Sequence, residues 1–191
     1  MLNKININAH KQILFIYVVL ILSTIAVFWQ VNQYDFIDLD DSVYVLNNHH
    51  IQSGITSDAI CWSFSTMHAE FWHPVTWFSL MFDYQFFGFN AGGYHLTNII
   101  LHILSTLLLF WIFNHITGAI WKSAFVAAVF ALHPLHVESV AWIAKRKDVL
   151  SGFFWMLTLC FYVYYTHKSD KKRYLLVVSS FVLALMSKPM V

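Results

Sequence analysis

The sequence predicts an all-α integral membrane protein, a multi-pass helical bundle of about five spans with a long first extracytoplasmic loop. Hydrophobic residues make up 59% of the 191 residues, and the mean hydropathy is +0.60. A soluble domain of this size has no core large enough to bury so much apolar surface. Charged residues are only 11% of the chain, and uncharged runs between them are long enough to cross a bilayer.

The apolar runs define the spans. The first run follows Lys4 and Lys11, and it is too long for the apolar region of a cleaved signal peptide. It is therefore predicted to be an uncleaved helix that enters the membrane from the cytoplasm. The predicted spans cover residues 12–31, 96–114, 123–142, 149–166 and 174–191, and the outer loop covers residues 32–95.

The outer loop is predicted to be folded, because long loops without structure are uncommon. Thr56, Ser57 or Asp58 is expected to cap a short helix, whereas Pro74 and Gly88 mark the start and end of a second one. Both segments are rich in Trp and Phe and poor in charge, which is typical of helices that lie in the membrane interface.

The charge distribution predicts a cytoplasmic N-terminus, because Lys and Arg are enriched in cytoplasmic segments. This orientation places nearly all acids outside, and most cations inside: Lys4, Lys11, Lys122, Lys168, Lys171, Lys172 and Arg173. One cluster, "KRKD" at 145–148, puts three cations on the outer side. Two interpretations remain open for it, namely anchoring to lipid headgroups and binding of a ligand.

Several classes of function lack their sequence signals. Cys61 and Cys160 lie in different segments, so no disulfide is expected between them. No phosphate-binding glycine loop and no basic patch with exposed aromatics is present, and nucleic acid is not an expected partner. A transporter or channel is disfavoured, because the polar groups gather at one face instead of near the midplane.

The acidic segment "FIDLDDSVYVLNN", residues 36–48, follows the first span directly. An aspartate in a partly dry site beside another aspartate has a raised pKa, which suits a general base, so Asp40 and Asp41 are the candidate catalytic residues. Either could instead cap the helix that begins at "SVYVLNN". In a glycosyl transfer from a lipid-linked sugar phosphate, the leaving group is the lipid phosphate. The cations of 145–148 would then complement the aspartates, because Lys or Arg stabilises the charge that develops on that phosphate.

A second polar group lies at the outer end of the third span. His133 and His136, three residues apart on one predicted helix face, could bind a metal with Glu138. Pro134 favours a different interpretation, a kink at which the histidines satisfy freed backbone groups. Since a clear third ligand and the HExxH spacing are missing, no metal ligand is predicted, although a role for a divalent cation stays open.

Three segments resemble a known family: "DLDDSVYVLNNHHIQSGIT", "FWHPVTWFSLMFDYQFFGFNAGGYHLTNIILH" and "ALHPLHVESVAWIAKRKDVLS". Together they are similar to the membrane part of the TMTC-type O-mannosyltransferases, and the resemblance runs from about Phe36 to Val191. It implies a GT-C-like glycosyltransferase fold, a polyprenyl-phosphate sugar donor with mannose as the expected sugar, and protein Ser or Thr hydroxyls as acceptors.

The resemblance also implies roles for individual residues. Asp40 and Asp41 match an acidic motif of the first outer loop in which one acid serves as base, and Tyr44 completes a D-D-x-x-Y pattern. The residues that would bind the lipid phosphate or form the wall of the site are Tyr44, His73, His133, His136, Glu138, Lys145, Arg146 and Lys147.

The family's membrane domain has more spans than the five predicted here, followed by tetratricopeptide repeats that these 191 residues lack. The chain is therefore expected to be the N-terminal portion of such a protein, and its activity on its own stays open. The alternative function is a non-catalytic membrane protein that binds lipid-linked precursors or scaffolds an assembly. A bacterial inner membrane is the expected location, in preference to the endoplasmic reticulum.

Overall fold

A computed structural model describes residues 7–189, and every regular element in that range is helical. The α-helices are α1 (Ile7–Phe28), α2 (His49–Gln52), α3 (Ser57–Ser65), α4 (Pro74–Phe87), α5 (Ala91–Thr117), α6 (Ile120–Leu132), α7 (His136–Ala141), α8 (Arg146–His167) and α9 (Lys171–Ser187). Short 3₁₀ or π segments cover Trp29–Gln33, Ser42–Leu46, His68–Glu70 and Ile143–Lys145. Lys4 and the last two residues of the predicted fifth span lie outside the described residues.

The chain is an all-α integral membrane protein, as predicted. Among residues 7–189, three segments are long and apolar enough to cross a membrane, namely Asn8–Gln33, Ala91–Thr117 and Ile143–His167. Helices α6 and α9 are shorter, with 13 and 17 residues. Large apolar side chains stay on the outside of the bundle, as lipid-facing helices require, and they include Leu14, Phe15, Leu22, Phe125 and Leu175.

Helix α5 lies at the centre of the bundle. It packs against α1, α6 and α8, and α8 packs in turn against α9. Apolar residues from these helices, joined by Val31 after α1 and Val140 on α7, form two buried clusters. One contains Phe28, Val31, Ile99, Val140 and Val149, and the other contains Ile16, Leu20, Phe110 and Ala127. At the start of α5, a Cβ on Gly92 would lie 2.8 Å from the carbonyl oxygen of Asn32, so only glycine allows this close approach.

The loop between α1 and α5 has a core of its own. Its buried members are Tyr44, Val45, Ile51, Ala59, Trp77, Leu80 and Met81, packed against Tyr94 and Ile143. The predicted helix ends are confirmed: Thr56 caps α3 by accepting the Ala59 N–H (3.2 Å), and α4 begins at Pro74. It ends at Gly88, whose φ of 57° favours glycine. The folded loop therefore rests on the ends of α5 and α8.

The predicted third span, residues 123–142, is not one helix. Helix α6 ends at Leu132 because Pro134 disfavours a helical His133 before it, and α7 begins only at His136. His133 and His136 therefore do not share a helix face, which corrects the prediction. One of the two histidines satisfies a backbone group at this break, since His133 Nδ1 accepts the Leu135 N–H (3.2 Å).

A buried ion pair joins α4, α5 and α8. The side chain of Arg146, at the start of α8, is 0% exposed, and its Nη2 lies 2.6 Å from Asp83 Oδ2 on α4. Arg146 also donates to Ser79 Oγ (2.8 Å), to the Tyr94 carbonyl (2.8 Å) and, through Nε, to Asn98 Oδ1. Burial raises the pKa of the Asp83 carboxyl, and the charge and hydrogen bond of Arg146 oppose that rise. The guanidinium thus has its charge and its donors satisfied inside the protein.

We expect Arg146→Met to reduce the free energy of unfolding by about 3–5 kcal/mol, because it leaves the Asp83 carboxylate buried without its counter-ion. The neighbouring Lys145→Met is the matched control. Lys145 pairs with Glu138, whose side chain is 65% exposed, and such pairs contribute about 0–1 kcal/mol. Denaturant unfolding in detergent measures both variants, and equal losses would contradict a special role for the buried pair.

Candidate functional site

The two adjacent aspartates of the acidic segment have different environments. Asp41 is buried, and its two carboxylate oxygens accept the backbone N–H groups of Ile37 (3.0 Å) and Ala144 (2.8 Å). Asp40 is exposed on the outside of the same turn. Asp41 therefore ties the loop to the segment that precedes α8, whereas the Asp40 carboxylate faces solvent.

Asp41 does not cap its own helix, so that interpretation of the sequence is wrong for this residue: its side chain makes no hydrogen bond at the start of Ser42–Leu46. Burial raises the pKa of the Asp41 carboxyl, and the N–H groups of Ile37 and Ala144 oppose that rise. With both oxygens engaged by backbone donors, Asp41 has a structural role in this arrangement.

Tyr44 and Lys147 join the two predicted halves of the site. Lys147 Nζ donates to Tyr44 Oη (2.9 Å) and lies 5.2 Å from the ring centroids of both Tyr44 and Phe71. Burial raises the pKa of Tyr44 to about 12, and the charges of Asp40 and Asp148 add to the rise. Among residues 7–189, no carboxylate lies within ion-pair distance of Lys147, whose direct partners are neutral.

Aromatic rings form the floor beneath this pair. His73 is fully buried and stacks on Tyr44, with ring centroids 5.7 Å apart and an interplanar angle of 8°. The ring centroid of Trp77 lies 4.5 Å from that of His73 and 4.8 Å from that of Tyr44. Neither ring nitrogen of His73 has a hydrogen-bond partner among the described residues. Burial lowers the pKa of His73 to about 4, and the charge of Lys147 contributes, so the imidazole is neutral at pH 7.

The three cations of 145–147 lie at the loop end of the bundle, but they point to different partners. Lys145 forms an ion pair with Glu138 (3.2 Å) and lies 5.1 Å from the Trp142 ring centroid. Arg146 is enclosed by its buried partners. Only Lys147 of the three reaches Tyr44. The structure thus brings Tyr44, His73 and Lys147 into contact, with Asp40 within electrostatic range of Tyr44 and Lys147.

The other predicted wall residues lie elsewhere. His133 is exposed in the turn after α6, whereas His136 packs against Phe130 (4.5 Å between centroids) and His102 (5.3 Å). His136 lines a recess between helices together with His102, Ser105, Ser139 and Asp148. No three His, Cys, Asp or Glu side chains within residues 7–189 are grouped so as to hold a metal ion, so His133, His136 and Glu138 do not form a metal centre.

Two charged residues at the site, Lys188 and Asp83, are not among the residues that the sequence predicted. Lys188 Nζ lies 2.8 Å from Asp148 Oδ1, and Lys188 shares a small recess with Phe71, Lys147 and Pro189, which we call the lysine recess. Asp83 is the counter-ion of Arg146. Their isolated charges in apolar helices were the available signal, because such charges mark sites or buried pairs. Nothing in the local pattern named their partners.

We expect stability to fall as the pH drops from about 6.5 to about 4, in part because of His73. In that window the unfolded imidazole takes up a proton, whereas the folded one, with a pKa of about 4, stays neutral. His73→Phe cannot be protonated, so its unfolding midpoint in detergent should depend less on pH over this range. His49→Phe, at an exposed position, is the control. A pH profile unchanged by His73→Phe would contradict this assignment.

Fold and site together define a class: a multi-pass helical membrane protein in which a folded loop meets the ends of three helices and gathers acidic, basic and aromatic side chains there. No family model and no solved structure matches the chain.

Several curated proteins are similar to the chain in sequence. The chain is 34% identical to Protein O-mannosyl-transferase tmtc2 of Xenopus laevis over 92 residues, which are 48% of this chain and 11% of that protein. It is 28% identical to human Protein O-mannosyl-transferase TMTC4 over 161 residues, 72% of this chain and 21% of the relative. A Caenorhabditis elegans relative, Protein O-mannosyl-transferase F38B6.6, is 34% identical over 53% of this chain and 15% of its own length.

The predicted resemblance to the TMTC-type O-mannosyltransferases is therefore confirmed by these similarities. It spans between about a tenth and a fifth of the length of these relatives.

Proposed function

We propose that the chain forms part of a glycosyltransferase that moves a sugar, with mannose expected, from a polyprenyl-phosphate donor to Ser or Thr hydroxyls of a protein. The relatives' names, protein O-mannosyl-transferases, support the sugar and the protein acceptor. The lipid phosphate is supported by the position of the site at one end of the spans, where a donor with its tail in the bilayer presents its phosphate.

One observation carries the proposal: Lys147, which has no direct carboxylate partner within residues 7–189, donates to the Tyr44 hydroxyl, and the solvent-facing Asp40 lies within electrostatic range of the same tyrosine. Lys147 contacts the Tyr44 hydroxyl, and the charge of Asp40 acts on the same group. A transfer from a sugar phosphate needs these two chemistries side by side, namely a proton acceptor and a positive charge for the leaving group.

In the proposed reaction, Asp40 accepts the proton of the acceptor hydroxyl as its oxygen attacks the anomeric carbon. The bond from that carbon to the phosphate oxygen breaks, and the electron pair leaves with the lipid phosphate. Lys147 stabilises the charge that develops on the phosphate. Attack from the face opposite the phosphate inverts the anomeric configuration. We favour Asp40 over Asp41 as the base, because Asp41 is buried and each of its oxygens already accepts a backbone N–H.

The remaining predicted residues take secondary places. Tyr44 and the neutral His73 form an aromatic wall next to the reacting groups. Arg146 is a positioning residue, since it fixes the start of α8 and thereby the neighbouring Lys147. Lys145, Glu138 and His133 belong to the surrounding surface, whereas His136 packs between helices. For the membrane, the excess of cations on the inner segments supports a cytoplasmic N-terminus, and a bacterial inner membrane stays our prediction for the location.

We expect Asp40→Asn in the full-length protein to lower sugar transfer at least about a hundredfold, because a general base contributes about 10²–10⁴ to a rate. The unfolding midpoint should stay unchanged, since Asp40 is exposed. Asp41→Asn is the matched comparison. It should lower the unfolding midpoint, because an amide cannot accept both the Ile37 and the Ala144 N–H. Full transfer by a folded Asp40→Asn variant would overturn the proposed base.

We expect Lys147→Ala to weaken binding of farnesyl phosphate, a short polyprenyl phosphate, about tenfold, the loss typical of a hydrogen bond to a charged group. Binding of the uncharged farnesol should not change. Lys145→Ala is the control, because Lys145 is paired with Glu138. Quenching of Trp fluorescence measures both affinities. If Lys147→Ala leaves the affinity for farnesyl phosphate unchanged, headgroup anchoring becomes the better interpretation of this lysine.

The alternative function, a non-catalytic protein that binds lipid-linked precursors or scaffolds an assembly, uses the same cation. It is favoured by one observation, namely that Lys147, placed over the Tyr44 and Phe71 rings, offers its positive charge to a phosphate without needing Asp40. The alternative predicts donor binding without any sugar transfer by the full-length protein. Transfer that depends on Asp40 contradicts it.

A further inference from the structure

Lys188 lies at the same end of the bundle as Lys147. It follows the last residue of α9, and that helix end is fixed to α4, because Thr76 Oγ1 donates to the Ser187 carbonyl (2.9 Å) in a buried contact. The backbone N–H of Lys188 is bound by the Ala184 carbonyl (3.1 Å). The backbone position of Lys188 is therefore set by packing, whereas its side chain extends towards the site.

Lys188 and Lys147 are the two cations of the lysine recess, whose other walls are Phe71 and Pro189. Each lies within electrostatic range of the other. The stems of the two lysines line this apolar recess, and their ammonium groups repel each other unless an anion lies near them. In this structure that anion is the Asp148 carboxylate, which pairs with Lys188 at 2.8 Å.

The Lys188–Asp148 pair is open enough to exchange partners. The side chain of Lys188 is 34% exposed and that of Asp148 is 22% exposed, in contrast to the fully enclosed Arg146–Asp83 pair. Partly exposed ion pairs contribute little free energy, so an incoming anion can compete for the ammonium. Asp148 lies within electrostatic range of both Tyr44 and Lys147. An exchange of partners by Lys188 would therefore take place beside the proposed reaction site.

We propose that Lys188 is a second cation for the phosphate of a lipid-linked sugar donor, a phosphodiester, and that Asp148 holds the Lys188 ammonium while no phosphate is bound. This inference rests on the proposed function and adds to it a binding residue and a competing carboxylate. When the phosphate enters between Lys147 and Lys188, the Lys188 ammonium exchanges Asp148 for a phosphate oxygen. When the phosphate leaves, the ion pair with Asp148 re-forms.

The test uses two changes with opposite expected signs. Lys188→Ala should raise the Kd for farnesyl phosphate about tenfold, because it removes a charge-assisted contact. Asp148→Asn should lower that Kd severalfold, because it removes the carboxylate that competes for Lys188. Lys188→Arg should keep near-normal affinity. A purely structural ion pair would instead weaken binding in both the Lys188→Ala and the Asp148→Asn variants, and this result would overturn the proposal.

Controls separate the sources of phosphate and the possible failures. Lys168→Ala removes the same residue type from the loop at the opposite end of α8 and α9, and it should have no effect. Inorganic phosphate and phosphatidylglycerol micelles are tested beside farnesyl phosphate, and a Lys188 effect of equal size on phosphatidylglycerol would assign the recess to bilayer lipid and overturn the donor role.

Lys147→Ala distinguishes a failure of the role proposed for Lys188 from a failure of the proposed function. If it weakens binding while Lys188→Ala does not, the role of Lys188 is wrong and the proposed function stands. If neither variant changes binding, both the lysine recess and the proposed donor site are wrong. Unfolding midpoints in detergent verify that each variant is folded, which is expected because the Lys188–Asp148 pair is partly exposed.

Discussion

The buried pair of Arg146 and Asp83 fixes the arrangement on which the site depends. A guanidinium without exposure in an apolar bundle must have a counter-ion and partners for its donors, and those partners come from α4 and α5. Satisfying Arg146 therefore locks three helices to each other at one end. Lys147 follows Arg146 at the start of α8, where successive side chains point in different directions, so the same lock directs Lys147 to Tyr44.

Consecutive charged residues thus have separate roles that depend on what surrounds each of them. Asp41 and Arg146 are buried and satisfied by fixed partners, whereas Asp40 is exposed and the direct partners of Lys147 within residues 7–189 are neutral. In both pairs a structural residue holds its neighbour in place. Asp41 fastens the loop to Ala144, close to Lys147, and this contact across 103 residues, together with that of Lys147 to Tyr44, brings the acidic and basic segments together.

The sequence predicts features that depend on composition or on residues close together in the chain. Apolar runs identified the membrane class, and Thr56, Pro74 and Gly88 marked helix ends correctly, because capping and backbone preferences act within a few residues. The order of the predicted spans placed the acidic segment and "KRKD" at the same end of the bundle. The choice between Asp40 and Asp41, or among Lys145, Arg146 and Lys147, did not follow, since it depends on burial by residues far along the chain, such as Asp83 and Ala144.

A carboxylate beside a phosphate site would seem to oppose binding, yet a transferase gains from it. The product of the proposed reaction is a lipid phosphate with more negative charge than the donor, so two lysines alone would hold the product more tightly than the substrate. Asp148, already 2.8 Å from Lys188, offers that ammonium another partner as the product leaves. The cost is a weaker grip on the donor. The benefit is a site that is cleared for the next donor without the bundle having to open, which suits a recess whose walls are fixed by Arg146 and Thr76.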